Sequence, residues 1–128
     1  MSGAIMIRCS DSIVVVSDGG LYRSTADFTL TGFVSKPVVM PHISTILVAI
    51  GCSTLQWLIQ HNAQPAWNSF DDVIENIHYD VKEAIHRVWL LEPGRDRIES
   101  FLMVGGYSQA RERWESRHLM VSIYRSDD

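Results

Sequence analysis

The sequence feature that most limits the possible folds is a long amphipathic stripe in the middle of the chain. Across residues 70–88, apolar side chains recur at steps of three and four, which is the spacing of one face of an α-helix. Ser69 with Asp72 approximates a capping box, and Pro93-Gly94 supplies a stop signal. We therefore predict a helix from Ser69 to about Leu90, and its apolar side must be buried against another layer of the domain.

Short apolar segments on both sides of this helix predict β-strands. The run Ile13 to Ser17 (IVVVS) lacks alternation, which favours a strand covered on both faces. Pro37 removes one ladder hydrogen bond, so its strand should lie at a sheet edge or carry a bulge. A second helix is predicted from Cys52 to about His61, and the charged segment Arg111 to Arg117 is interpreted as a solvated hairpin loop. The predicted strands cover residues 4–9, 13–17, 32–39, 43–50, 100–107 and 118–124.

The order of these elements predicts the fold class. Strand pairs precede and follow the two helices, which is typical of an α+β protein built from antiparallel hairpins. Two antiparallel sheets stacked face to face, with helices packed outside, would also explain an apolar strand such as IVVVS. The 128 residues are the size of one domain, and 46% hydrophobic content suffices for one core. We expect a single domain over residues 1–128.

Composition excludes several classes of protein. The net charge of −4 gives no excess of basic residues for binding nucleic acid. No apolar run approaches the ~20 residues of a membrane-spanning helix. Cys9 and Cys52 are interpreted as reduced core thiols of a cytoplasmic protein without a signal peptide. The five histidines lack metal-ligand spacing, and Gly105-Gly106 precedes no helix, so it is not a nucleotide-binding loop. We expect no metal and no cofactor.

The amino terminus carries a candidate for covalent chemistry. If Met1 is removed, Ser2 becomes the first residue, and its hydroxyl and α-amine lie on the same residue. An α-amine titrates near pH 8 and can accept the proton of the hydroxyl. Ser2 therefore combines a nucleophile with a base.

Several segments, in order, resemble the β-type subunits of the proteasome and the bacterial proteasome-like peptidases, which are amino-terminal-nucleophile hydrolases. The similar segments are the opening strand with its Asp11-Ser12 turn, VVVSD ending in Asp18, Lys36 at the start of a strand, and AIGCSTL around Gly51. MVGG followed by LMVSIY is similar to the next strand pair. The spacing back from Asp18 puts Ser2 at the nucleophile position, which is usually threonine in that family.

The resemblance implies a role for each of these four residues. The Ser2 hydroxyl would attack an amide carbonyl, and Lys36 would supply positive charge that favours the deprotonated amine. Asp18 would pair with Lys36 and hold it in place. The backbone N–H of Gly51 would donate to the developing oxyanion, next to the start of a helix. The expected substrate is a peptide or another amide.

The chain also departs from the family. The spacings from Asp18 to Lys36 and from Lys36 to Gly51 are slightly longer than usual, and the family's C-terminal half is missing. Half of a sandwich would expose an apolar face, which soluble monomers avoid. We therefore expect either a fragment or a chain whose apolar face another chain covers, as in a homo-oligomer.

The same four residues also have ordinary structural interpretations. Ser2 is a common residue after Met1, and Asp18 before two glycines is by default a turn residue. Lys36 could be a surface lysine, and Gly51 a tight turn from strand to helix. The sequence thus predicts an α+β hydrolase acting through Ser2, with two alternatives: a non-catalytic assembly protein of the same fold, and an unrelated cytoplasmic binding module.

Overall fold

The computed structural model describes residues 3–17, 20–22, 30–33, 37–63 and 66–125 of the chain. Within these ranges the chain forms antiparallel strands and two α-helices, as the order of the sequence segments predicts. The helices are α1 (Ser53–Leu58) and α2 (Phe70–Leu91). The strands are β1 (Ala4–Arg8), β2 (Ile13–Ser17), β3 (Gly20–Tyr22), β4 (Leu30–Phe33), β5 (Val38–Met40), β6 (Thr45–Gly51), β7 (Arg97–Ser108) and β8 (Arg113–Tyr124).

The described strands form one larger sheet and two hairpins. The larger sheet has the order β5-β6-β7-β8, whereas β1 pairs with β2 and β3 pairs with β4. Pro37 immediately precedes β5, which lies at an edge of the four-stranded sheet. An edge strand next to this proline is therefore present, but the prediction of one strand over residues 32–39 is wrong, because residues 32–33 belong to β4, which pairs with β3, and β5 begins at Val38. A 3-10 turn at Pro41–Ile43 joins β5 to β6.

Helix α2 covers one face of the four-stranded sheet. Its buried residues include Phe70, Val73, Ile77, Val81, Ala84, Ile85 and Val88, which confirms the predicted apolar stripe. On β7, alternate residues such as Ile98 and Leu102 are fully buried in the same core. The Ser69 hydroxyl accepts a hydrogen bond from the Asp72 amide at 3.0 Å, as predicted for the helix start. Asp72 in turn accepts from the amide of Asn68.

The β1–β2 hairpin packs against the opposite face of the same sheet. A Cβ at Gly105 would lie 2.7 Å from a methyl carbon of Ile13 and 2.9 Å from the sulfur of Met6. A Cβ at Gly106 would instead lie 2.5 Å from the Phe70 ring. The two glycines lie inside β7, so they allow the layers on both faces of the sheet to approach closely.

The structure corrects two predictions about these strands. Burial alternates along β2, with Val14 and Val16 exposed, so the expected cover on both faces of IVVVS is not present. Residues 113–117 of the predicted loop belong to β8, and only the short connection from residue 109 to 112 joins it to β7. Residues 113–117 can belong to a strand because the charge of the buried Glu115 is neutralised by neighbouring arginines.

Helix α1 is shorter than predicted. It ends at Leu58 and continues as a π-helical turn over Ile59–Ala63. The predicted hydroxyl cap is wrong, because the N-cap residue is Cys52 and no side chain caps it. The hydroxyl of Thr54 instead donates to Glu92 at 2.9 Å. That bond ties α1 to the end of α2.

Candidate functional site

Gly51 ends strand β6 at the junction with helix α1, as the sequence predicts. Its φ of +110° lies in a region that side chains disfavour. A Cβ at this position would also collide with the carbonyl oxygen of Glu99 on β7. Both facts require glycine here on structural grounds alone.

The turn after Gly51 is held by a hydrogen bond from a neighbouring strand. The amide of Cys52 donates to the hydroxyl oxygen of Ser100 at 2.9 Å. Ser100 faces Gly51 in the β6–β7 register and is buried. This contact fixes the direction in which the backbone leaves the sheet at the candidate site.

A cleft of about 350 Å³ opens beside Gly51. Its apolar walls come from Ile50, Phe101 and Met120, on three adjacent strands. By strand alternation these side chains lie on the sheet face that the β1–β2 hairpin also covers. Other parts of the chain cover only part of this sheet face, because Met103 is buried whereas Met120 is 75% exposed. The cleft therefore lies where the cover of the sheet ends.

The other three predicted site residues lie outside the described residues. Ser2 precedes the first described residue, and Asp18 and Lys36 fall in two of the gaps. Of the predicted set, the structure places Gly51 alone. The described residue closest in sequence to Ser2 is Gly3, immediately before β1.

Strand β8 carries a buried charge that the sequence patterns do not indicate. The side chain of Glu115 is only 3% exposed and pairs with Arg111 at 2.9 Å, Arg113 at 2.6 Å and Arg117 at 3.4 Å. The hydrogen bond from Arg113, followed by that from Arg111, holds the pKa of Glu115 below its usual value, although burial opposes this. In the sequence, this segment has the charged composition of a solvated loop. Only the tertiary structure shows that one of its charged side chains is buried.

A second polar contact joins the same hairpin to the start of α2. Asp71 accepts a hydrogen bond from the Ser108 hydroxyl at 2.6 Å and another from the Ala110 amide at 3.1 Å. The bond from Ser108 is the main reason why the pKa of Asp71 is lowered. Together, Asp71 and Glu115 offset two of the three arginine charges of this hairpin. These contacts stabilise the fold.

The remaining candidates for binding chemistry have structural roles among the described residues. Trp57 stacks on His61 with ring centroids 4.3 Å apart, and the Trp67 indole donates to Asp80 at 2.9 Å. No group of three or more His, Cys, Asp or Glu side chains within the described ranges could hold a metal ion. None of the described helices combines the length and apolar character needed to cross a membrane.

Comparison with models of known protein families, with curated proteins and with solved structures found no match. The functional proposal therefore depends on the residues and geometry of this chain.

Proposed function

We propose that this chain is a cytoplasmic, proteasome-like amino-terminal-nucleophile hydrolase that cleaves peptide or amide bonds through Ser2 after Met1 is removed. The observation that carries the proposal is the geometry around Gly51. A glycine with a φ of +110° ends a central strand before a helix, and a cleft opens next to it. The cleft lies on the sheet face covered by the hairpin whose first strand begins at Ala4, close in sequence to Ser2.

The proposed reaction uses the amino terminus as both nucleophile and base. The α-amine of Ser2 takes the hydroxyl proton while the oxygen attacks the carbonyl carbon of the substrate. The tetrahedral oxyanion accepts a hydrogen bond from the Gly51 N–H. The leaving amine receives the proton as the amide bond breaks, and water then hydrolyses the ester on Ser2. Lys36, oriented by Asp18, supplies positive charge that keeps the α-amine unprotonated.

The test follows the state of the amino terminus. Intact-mass measurement should show loss of Met1, and a peptide inhibitor that reacts with hydroxyl nucleophiles should add its mass at Ser2. Ser2→Ala should abolish the adduct, whereas Ser2→Thr should retain it because threonine carries the same hydroxyl. A retained Met1 in the active preparation, or an adduct that survives Ser2→Ala, contradicts the proposal.

A second candidate function is a non-catalytic assembly protein that keeps this fold. The outer face of the β1–β2 hairpin favours it, because four aliphatic side chains are between 43% and 60% exposed there: Ile5, Ile7, Val14 and Val16. We refer to these four residues as the hairpin face. A homo-oligomer that buries the hairpin face needs no chemistry at Ser2, so an intact assembly with an unreactive Ser2 would favour this candidate.

A further inference from the structure

The cleft beside Gly51 is lined by apolar side chains from three adjacent strands. Phe101 and Met120 face each other in the β7–β8 register, and Ile50 faces Phe101 from β6. The Phe101 ring is in turn held by an edge contact with His118, at 5.5 Å between centroids. One wall is thus rigid and aromatic, whereas Met120 is exposed and flexible. A thioether side chain of this kind adapts to ligands of different shape.

The described lining of the cleft carries little charge. Among the described residues that line it, Glu99 alone is ionisable, and its side chain is 51% exposed and pairs with Arg97 at 3.6 Å. The inner walls are uncharged, and Ser122 contributes a hydroxyl group, whereas the Ser100 hydroxyl already accepts from the Cys52 amide. An apolar side chain could enter without losing a hydrogen bond, whereas a carboxylate would lose its hydration against uncharged walls.

The size of the cleft limits what it can hold. A volume of about 350 Å³ is at the lower end of the range for ligand sites, so the cleft suits one or two residues of a peptide rather than a large cofactor. Because Gly51 is part of its lining, a residue bound here would place its backbone beside the proposed oxyanion donor.

We propose that this cleft is the specificity site of the chain, and that it binds one large, uncharged apolar side chain of a peptide substrate. Met120 and Phe101 determine that preference. The inference rests on the proposed function in taking the ligand to be a peptide substrate, but binding in the cleft requires no reaction at Ser2.

The test measures binding separately from catalysis. The probes are acetylated tetrapeptide amides that differ only in the last residue: Leu, Phe, Ala or Glu. Binding to the full chain carrying Ser2→Ala is followed by NMR of methionine methyl groups. The Leu and Phe peptides should shift the Met120 methyl signal, and the Glu peptide should not. Met120→Glu should weaken binding of the Leu peptide roughly tenfold or more.

Tyr124→Glu is the matched control. Tyr124 lies on the same face of the same strand and is 65% exposed, but it does not line the cleft. This variant introduces the same charge and should bind the Leu peptide like the parent chain. Both variants change exposed side chains, and equal thermal unfolding midpoints will show that each is folded.

The outcomes separate the cleft from the catalytic proposal. If Ser2 forms no adduct but the Leu peptide binds and Met120→Glu weakens it, the hydrolase proposal fails and the cleft assignment stands. If Ser2 reacts at equal rates with the Leu and Glu peptides, and Met120→Glu changes neither rate, the cleft assignment is overturned. Equal loss of binding in the Met120→Glu and Tyr124→Glu variants also overturns it.

Discussion

At the scale of single residues, Gly51 shows how a structural requirement and a proposed catalytic role coincide. The backbone conformation and the contact with the Glu99 carbonyl require glycine whether or not the chain is an enzyme. Loss of activity in a Gly51 variant alone would therefore not identify an oxyanion site. Stability must be measured alongside activity.

Gly51→Ala should lower the free energy of unfolding by at least about 2 kcal/mol, because the new side chain is strained at a positive φ and collides with backbone. Urea denaturation measures the change. Gly94→Ala is the control, since a Cβ at Gly94 meets nothing within 4 Å, and its unfolding free energy should change by less than about 0.5 kcal/mol. Equal effects of the two substitutions would contradict the geometry at Gly51.

Glu115 is the residue for which charge and burial matter most. Its carboxylate is enclosed, but its three arginine partners keep between 44% and 60% of their side-chain surface in solvent. The cluster is therefore screened by salt. It still couples the stability of the fold to pH, because the pKa of Glu115 is lower in the folded chain than its ordinary value of 4.5.

A carboxylate with a lowered folded pKa stabilises the protein above its unfolded pKa, and this stabilisation is lost as pH falls through the folded pKa. Glu115→Gln should therefore reduce the unfolding free energy by about 1–3 kcal/mol at pH 7 and reduce its dependence on pH below about 4.5. Chemical denaturation across this pH range measures both effects.

Glu83→Gln is the control for that experiment. Glu83 pairs with Arg87 at 3.1 Å, but both side chains are largely exposed, and such pairs contribute about 0.5 kcal/mol or less. An effect of Glu115→Gln no larger than that of Glu83→Gln would show that the buried pairing is not formed.

At the scale of elements, the two ends of helix α2 are stabilised in different ways. Ser69 caps the N-terminal end from the adjacent position in sequence, so a local pattern predicts it. The C-terminal end is held by Arg125, which donates to the carbonyl oxygens of Trp89 at 3.0 Å and Glu92 at 3.2 Å. The Arg125 guanidinium also lies 4.8 Å from the centre of the Trp89 ring. No local pattern predicts a partner more than 30 residues away.

Arg125→Gln should destabilise the chain by about 1.5–3 kcal/mol, because hydrogen bonds from a charged donor to the helix-end carbonyls are lost. Arg125→Lys keeps the charge but loses the planar fork, so it should have an intermediate effect. Thermal unfolding ranks the three chains. A lysine variant as stable as the parent would mean that charge at the helix end, rather than the fork, provides the stabilisation.

At the scale of the whole molecule, the layers leave the apolar hairpin face exposed. Helix α2 and the β1–β2 hairpin cover opposite faces of the four-stranded sheet, while the hairpin face points away from it. Burying each of these half-exposed side chains gains roughly 1 kcal/mol. Two copies packed through the hairpin face would gain about 8 kcal/mol, which is comparable with the cost of association. Further contacts are needed for a tight assembly.

Ile7→Lys combined with Val14→Glu should dissociate any oligomer that buries the hairpin face. The two positions are direct cross-strand partners, so opposite charges there keep the hairpin paired. Light scattering with size-exclusion chromatography measures the mass of each chain. Leu90→Lys with Leu91→Glu places the same charges at the exposed end of α2 and should leave the mass unchanged. A wild-type oligomer whose mass is unchanged by Ile7→Lys with Val14→Glu contradicts burial of the hairpin face.

Local sequence patterns determined that strand pairs flank two helices, the apolar stripe and N-terminal cap of α2, and the position of Gly51 at the end of β6, but they did not predict β3 and β4 as a separate pair. These features depend on residues a few positions apart, whose spacing has physical meaning without the rest of the chain. For the candidate site, the same patterns located Gly51; Ser2, Asp18 and Lys36 remain sequence predictions.

Only the tertiary structure decided which charges and apolar residues are buried. Glu115 is enclosed because a turn and a strand bring three arginines around it, and the cleft exists because the sheet register places Ile50, Phe101 and Met120 side by side. The apolar run of β2 likewise does not show which of its two faces another layer covers; only the burial of the folded chain alternates there. Burial depends on contacts between distant segments, and the periodicity of a single segment contains no information about them.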